Sequence, residues 1–313
     1  MERGDTGMYT SAERGLIFDV ERFSTADGPG IRTVIFFKGC NLNCYWCHNP
    51  ESIRTFPELE WNAAECIGCG LCEKVCPENA HLRCPEHILV RERCRQCFQC
   101  SEICPTQALK QAGRWMTVED CMQQIRHDIP FYSHSGGGVT LSGGEVMLQS
   151  AFAAKLLEQC KKETVRTAIE SNLCCTQNAL ETLLPWLDLV MTDIKHMESA
   201  KHRAGTGAAN EQILKNLEYL DRQGIPVIVR TPVIPGFNAD PENIKKTAEF
   251  LRRLQHLQYY ELLSYNPMGN DKRKRFGYEV PEISIPDRDQ MRCLAGIAGE
   301  QGLPVWIDGT VFA

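Results

Sequence analysis

Apolar residues in this chain come in short runs, and from Thr117 onward each run alternates with a longer stretch whose apolar positions recur every three or four residues. The runs predict strands over 33–38 (TVIFFK), 138–142, 165–170, 187–192, 226–231 and 260–264, with a last short one, VWI, at 305–307. The periodic stretches predict helices over 117–128, 149–163, 176–184, 209–223, 241–255 and 286–301. Strands and helices alternating over short connections imply parallel pairing and right-handed crossovers, hence a barrel or a doubly wound sheet. Between about 62 and 110 the pattern lapses. That segment is dense in cysteine, punctuated by proline, and has little period of either kind.

Polar residues at the strand ends choose between the two architectures. Cys40 follows the first strand, Ser142-Gly143-Gly144-Glu145 the second and Glu170-Ser171-Asn172 the third. Asp193-Ile194-Lys195 follows the fourth, Arg230 ends the fifth and Tyr265-Asn266 follows the sixth. In a barrel of β/α units those ends converge on one mouth, where chemistry sits. Six units predict an α/β fold of the partial (β/α)6 TIM type, open rather than closed. Residues 1–55 and 115–313 would form the barrel and 56–114 an insert in its first crossover.

Composition narrows the function. A net charge of −6 over 313 residues offers no basic footprint for nucleic acid. No apolar stretch of about 18 residues and no signal-like N-terminus is present, so the expectation is a cytoplasmic protein with no membrane partner. The 17 cysteines are the anomaly. Most stand two or three residues apart in tandem, which suits metal ligation better than disulfides.

Within the insert, CIGCGLCEKVCP places Cys66, Cys69, Cys72 and Cys76 before Pro77, and CRQCFQCSEICP places Cys94, Cys97, Cys100 and Cys104 before Pro105. Both runs are C-x2-C-x2-C-x3-C-P, the arrangement that holds paired [4Fe–4S] clusters in bacterial ferredoxins, where the fourth cysteine of each run serves the other cluster. The expected sets are therefore Cys66, Cys69, Cys72 with Cys104, and Cys94, Cys97, Cys100 with Cys76. A pair of zinc knuckles is the alternative. Cys84 reads as spare, and Cys121, Cys160, Cys174, Cys175 and Cys293 as packing residues.

GCNLNCYWCHNP puts Cys40, Cys44 and Cys47 on the loop after the first strand. Three soft thiolates can hold three irons of a cube and leave the fourth iron open to an exogenous ligand. A zinc ion with a water in fourth position is the alternative, against which the neighbouring ferredoxin runs argue.

With DGPGIRT (27–33), FFKGCNLNCYWCHNPES (36–52), SGGGVTLSGGE (135–145) and DIKH (193–196), the sequence resembles the glycyl-radical-enzyme activating enzymes of the radical S-adenosylmethionine superfamily, in the longer branch with a two-cluster ferredoxin domain. The resemblance covers nearly the whole chain. It implies three [4Fe–4S] clusters, S-adenosylmethionine chelated at the open iron, and a 5′-deoxyadenosyl radical that takes a hydrogen atom from a glycine of a partner glycyl radical enzyme. A flavodoxin or ferredoxin would donate the electron. The alternatives are a radical enzyme modifying another peptide or small molecule, and an iron–sulfur electron carrier.

The resemblance also assigns roles. Gly143, Gly144 and Glu145 would bind the methionine ammonium, with Glu145 as its carboxylate, while Trp46 and His48 would sit by the adenine. Glu170, Ser171, Met191 and Asp193 match positions where short activators bind a monovalent cation, although those carry Asp and Thr where this chain has Glu170 and Ser171. Asp193, Ile194, Lys195 and Arg230 would surround the cofactor's carboxylate and ribose. Asn266 stands where such activators often carry histidine, and can hydrogen-bond a base edge. Asp27 matches a residue touching the incoming glycyl loop, though it also suits a turn before Gly-Pro-Gly. The basic run DKRKRFG (271–277) reads first as a solvated face and second as a docking surface.

Overall fold

The structure, a computed structural model, describes residues 12–83 and 86–312; Cys84 lies outside them. Strands β1 (Arg14–Ser24) and β2 (Arg32–Phe37) open the chain as an antiparallel pair. The cysteine-rich segment follows with β3 (Glu58–Trp61), α1 (Leu71–Val75), β4 (His81–Arg83), β5 (His87–Leu89), α2 (Gln99–Glu102) and β6 (Leu109–Ala112). β7 (Arg114–Thr117) returns to pair with β1. The remaining elements are α3 (Val118–Arg126), α4 (Ile129–Ser135), β8 (Gly138–Gly143), α5 (Ser150–Lys162), β9 (Arg166–Glu170), α6 (Gln177–Leu183) and β10 (Leu189–Asp193). They continue with α7 (Ser199–Thr206), α8 (Glu211–Arg222), β11 (Val227–Val233), α9 (Pro241–Leu251), β12 (Leu257–Ser264), α10 (Met268–Phe276), α11 (Arg288–Gly299), β13 (Val305–Ile307) and β14 (Thr310–Val311).

Ten strands make one sheet in the order β14-β13-β12-β11-β10-β9-β8-β2-β1-β7. From β2 to β13 every neighbouring pair in that order is parallel. All seven strands expected from the apolar runs are present, and the open, mostly parallel α/β architecture is as expected. The antiparallel additions β1, β7 and β14 at the edges were not foreseen. Helix starts follow local chemistry: Thr117 and Asp120 form a reciprocal capping box on α3, and Asp240 followed by Pro241 opens α9. Apolar faces of α3, α5, α8, α9 and α11 bury Met122, Leu156, Leu217, Ile244 and Leu294 against the sheet. No helix among the described residues is long and apolar enough to cross a membrane.

The cysteine-rich segment has more order than its sequence suggested. Its two halves coincide at an offset of 28 residues, from Cys66 to Cys94. Left-handed backbone occurs at Gly68, Gly70 and Asn79 in one half and at the matching Gln96, Phe98 and Gln107 in the other. The same offset relates the Asn62 N–H to Ala108 carbonyl bond and the Val90 N–H to Ala80 carbonyl bond, both 2.8 Å. Gln96 and Phe98 hold a conformation natural to glycine, at a cost of about 1 kcal/mol or more each.

The segment is clamped to the barrel by charge. Lys38, at the end of β2 and fully buried, donates to Glu58 of β3 (2.8 Å) and to the Glu51 carbonyl (2.5 Å). Helix α10 is the basic run, and it is not a free solvated face. Lys272 pairs with Glu51 (2.7 Å), Arg275 with Glu60 of β3 (3.1 Å), and Arg91 donates to the Arg275 carbonyl.

Candidate functional site

The C-terminal ends of β2, β8, β9, β10, β11 and β12 surround one cavity of about 330 Å3, a volume suited to a small molecule. Cys40, Cys44, Trp46, Cys47 and His48 line it from the first loop, Ser142, Gly143 and Gly144 from the second, and Glu170, Ser171 and Asn172 from the third. Met191, Asp193 and Lys195 come from the fourth strand end, Arg230 from the fifth, and Tyr265 and Asn266 from the sixth.

Two glycines are needed after β8 because two loops meet there. Gly144 N–H donates to the Phe37 carbonyl (2.8 Å) and Glu145 N–H to the Gly39 carbonyl (2.7 Å). A Cβ on Gly143, whose φ is +117°, would overlap Phe37 backbone, and one on Gly144 would overlap Gly39. The glycines thus serve the approach of backbone to backbone as well as lining the cavity.

Glu145 departs from its expected role. Its carboxylate is fully buried and is not part of the cavity wall. It accepts from Met147 N–H (2.9 Å), Ser171 Oγ (2.7 Å) and Asn172 N–H (2.7 Å). Burial holds its carboxyl above the usual carboxylate range, while those three donors pull it back. Glu145 ties the second loop to the third through these three bonds. Ile194 also turns away, its side chain packed in the hydrophobic core.

The acids at the mouth are already paired. Arg230 bridges Glu170 and Glu261 (3.0 Å to the latter), and its remaining nitrogen donates to the Ala26 carbonyl (2.9 Å), drawing the 24–30 loop toward the wall. Lys195 pairs with Asp193 at 2.6 Å. Ser142 donates to Glu170 (2.5 Å), and Ser171 donates to Glu145. Of the residues expected to hold a monovalent cation, Glu170 meets Arg230 and Asp193 meets Lys195, while Ser171 is engaged by Glu145. Against a burial penalty, Asp193 and the neighbouring Cys44 and Cys40 lift the Lys195 ammonium above its usual range.

Asp27 lies outside the cavity lining; Ser24 donates to its carboxylate, and Thr140 Oγ1 to its carbonyl (2.8 Å). Trp46 lines the cavity but packs against Phe237, ring centroids 4.7 Å apart. Asn266 is exposed and accepts from Met268 N–H (3.0 Å), leaving its amide hydrogens for a ligand. Ser142, Asn172 and Tyr265, expected at the mouth only from their positions at strand ends, line the cavity as well, and Asn49, Ser52 and Thr192 do so with no such signal.

Burial pushes the Cys40 and Cys44 thiols up to about 12 and raises Cys47 as well. Such thiols stay protonated until a metal displaces the proton. Donors are already aimed at one of them: Leu42 N–H points at Cys40 Sγ (3.4 Å), as does the side-chain amide of Asn172 through Nδ2 (3.9 Å). Among the described residues, one set of three or more Cys, His, Asp or Glu ligand atoms lies within 4.8 Å of one another, namely Cys72, His81 and His87. Cys40, Cys44 and Cys47 are thus spread wider than the ~3.8 Å between sulfurs on one tetrahedral zinc.

In the cysteine-rich segment, Cys66, Cys69, Cys72 and Cys104 line one small cavity, and Cys76, Cys94, Cys97 and Cys100 another. These are the two crossed sets expected from the motif. Against its burial penalty, backbone N–H groups of Leu109, Thr106 and Ala108 draw Cys104 below its usual value, as a site for thiolate would. Of the remaining cysteines, Cys121 and Cys160 are buried as expected, whereas Cys293 is exposed on α11.

The profile of the Radical SAM superfamily matches residues 90–251, and that of the 4Fe-4S binding domain matches residues 59–80. An isethionate sulfite-lyase activating enzyme of Desulfovibrio desulfuricans is 39% identical over 284 residues, covering 87% of this chain and 90% of the relative. A (2S)-3-sulfopropanediol dehydratase activating enzyme of Klebsiella oxytoca is 39% identical over 302 residues, covering 92% and 95%. Among solved structures, Streptococcus suis SuiB bound to precursor peptide SuiA shares the fold, with a TM-score of 0.53 at 12% identity over 88% of this chain and 48% of that one.

Proposed function

The chain belongs to the radical S-adenosylmethionine superfamily, among the activating enzymes of glycyl radical enzymes, and on that premise we propose how its residues divide the work. The protein is an enzyme that reductively cleaves S-adenosylmethionine and abstracts a hydrogen atom from a backbone glycine of a partner glycyl radical enzyme. A reduced [4Fe–4S] cluster supplies the electron, and the cofactor supplies the 5′-deoxyadenosyl radical.

Cys40, Cys44 and Cys47 hold three irons of that cluster and leave the fourth for the cofactor. Backbone of Gly143 and Gly144 receives the cofactor's ammonium, in place of the Glu145 carboxylate. Lys195 and Arg230, held rigid by Asp193, Glu170 and Glu261, face its carboxylate and ribose without a bound cation. Trp46, His48 and the free amide hydrogens of Asn266 border the adenine. Asp27, on the loop that Arg230 tethers through Ala26, meets the incoming glycyl segment. The two crossed cysteine sets would hold two further closed clusters, whose chemistry would be electron delivery from a flavodoxin or ferredoxin.

One observation carries this reading: six successive strand ends deliver the three-cysteine loop, the paired glycines and two anchored cations to a single cavity. Cys40→Ala, Cys44→Ala and Cys47→Ala should each abolish 5′-deoxyadenosine formation from S-adenosylmethionine and dithionite. The absorption of the two other clusters should remain. Retained 5′-deoxyadenosine in any of the three would sink the assignment.

A further inference from the structure

The two halves of the cysteine-rich segment repeat closely, but not at two positions between the cluster cavities. His81 and His87 occupy the ends of the β4–β5 pair; at the 28-residue offset their counterparts are Leu109 and Leu59, both buried. The apolar pair shows that such a half folds without imidazoles. His81 lines the cavity of Cys76, Cys94, Cys97 and Cys100, and His87 that of Cys66, Cys69, Cys72 and Cys104. The rings touch: His81 Nδ1 and His87 Nε2 are 2.8 Å apart. His87 Nδ1 is 3.8 Å from Cys66 Sγ, and its Nε2 is 3.7 Å from Cys72 Sγ. Trp61 closes the far side, its ring 4.2 Å from that of His87.

The contact between the rings is a hydrogen bond rather than shared metal ligation. Two nitrogens on one tetrahedral zinc would sit ~3.3 Å apart. His87 Nε2 is engaged by His81 at 2.8 Å, nearer than Cys72 Sγ at 3.7 Å, so the sulfur that faces the otherwise unengaged Nδ1, a thiolate at Cys66, selects the direction of the bond. If His87 donated from Nε2, its Nδ1 lone pair would face a negative sulfur. If His81 donates from Nδ1 to His87 Nε2, His87 Nδ1–H points at that sulfur instead.

We infer that His87 donates a hydrogen bond to the Cys66 thiolate, in the tautomer fixed by His81, and so raises the potential of the Cys66/Cys69/Cys72/Cys104 cluster above that of its otherwise similar neighbour. An N–H aimed at a ligating sulfur stabilises the negative charge that reduction adds. The inference rests on the two-cluster reading of the segment. It makes His87 a tuning residue and His81 a positioning residue; neither is catalytic.

The test is an EPR-monitored redox titration of the reconstituted full-length protein, with signals assigned against a Cys94→Ala/Cys97→Ala variant that lacks the neighbouring cluster. In His87→Phe, the reduced fraction of the Cys66 cluster at a fixed potential should fall about tenfold, equivalent to about 59 mV for one electron. The barrel cluster should not move. His87→Gln, which keeps an N–H, should recover most of that loss, and His81→Phe should shift the same cluster in the same direction by less. Iron content should stay at roughly twelve per chain throughout. An unchanged potential in His87→Phe, equal shifts in both insert clusters, or zinc retained by Cys72, His81 and His87 would overturn the inference. Wild-type protein with only about four irons would overturn the two-cluster reading beneath it, and this inference with it.

Discussion

Glu145 decides between two accounts of the loop after β8. As a ligand for the cofactor's ammonium, its loss would weaken binding and leave the fold alone. As the buried anchor described above, its loss strands three donors: Met147 N–H, Ser171 Oγ–H and Asn172 N–H. Each buried donor without an acceptor costs about 1–3 kcal/mol. Removing a buried carboxylate returns part of its desolvation penalty, so Glu145→Ala should destabilise by about 3–5 kcal/mol. That is a large share of the roughly 5–15 kcal/mol available to a folded domain. Glu145→Gln keeps one oxygen as acceptor but sets an amide donor against another, and should cost about 1–2 kcal/mol. The assay is anaerobic urea denaturation followed by circular dichroism, with S-adenosylmethionine affinity measured by equilibrium dialysis on the folded protein. The Gln variant should bind within about threefold of wild type while unfolding at lower urea. If both variants unfold at the wild-type midpoint and lose more than tenfold in affinity, the anchor account is wrong and Glu145 is a ligand residue.

Gly143→Ala should be poorly tolerated, because a Cβ there meets Phe37 backbone at a φ of +117°; a loss on the order of 2–5 kcal/mol in the same denaturation assay is expected, and wild-type stability would contradict the loop geometry. Cys94→Ala combined with Cys97→Ala should leave S-adenosylmethionine affinity nearly intact while turnover with a flavodoxin or ferredoxin falls strongly. An artificial reductant reaching the barrel cluster should restore part of it, and equal loss of binding and turnover would make the segment purely structural.

Much of the barrel was legible because its signals are local. A buried parallel strand is a short apolar run, and TVIFFK or VWI says so without reference to the rest of the chain. The grouping of the insert cysteines about two cavities follows the bacterial-ferredoxin arrangement, in which the fourth cysteine of each run crosses to the other set. What the sequence hid was direction and pairing. Glu145 and Glu170 are both acids following a strand, yet one turns into the protein and the other toward the cavity. That depends on the Gly143-Gly144 bend, not on either residue's chemistry. Arg230 meets Glu261 because the two stand opposite each other across β11 and β12, a register that a sequence separation of 31 does not announce. Strands β1 and β7 carry charge that a central strand would not: β7 is the sheet's edge, and β7 covers β1 only over Arg14–Ile17, leaving the rest of RGLIFDVERFS uncovered on that side.

Helix α10 shows why the basic run misled. With charges on most sides it has no apolar stripe, so sequence periodicity predicts nothing and the solvated face is the default. Its partners are acids on an element far away in sequence, Glu51 and Glu60, and its buried members include Gly269 and Arg273. Gly269 is required there because a Cβ would press on the backbone of Cys47 and His48. At the other end, Gly277 lies against the Arg91 side chain, three residues before Cys94. One short helix thus runs from the backbone of a barrel cysteine to the edge of the second cysteine set. Its charged clamp, together with the buried Lys38–Glu58 pair, fixes the spacing between the two sets of sulfurs. On the proposed reading, in which both sets hold clusters that exchange electrons, a fixed separation is a reason for the chain to keep that run basic.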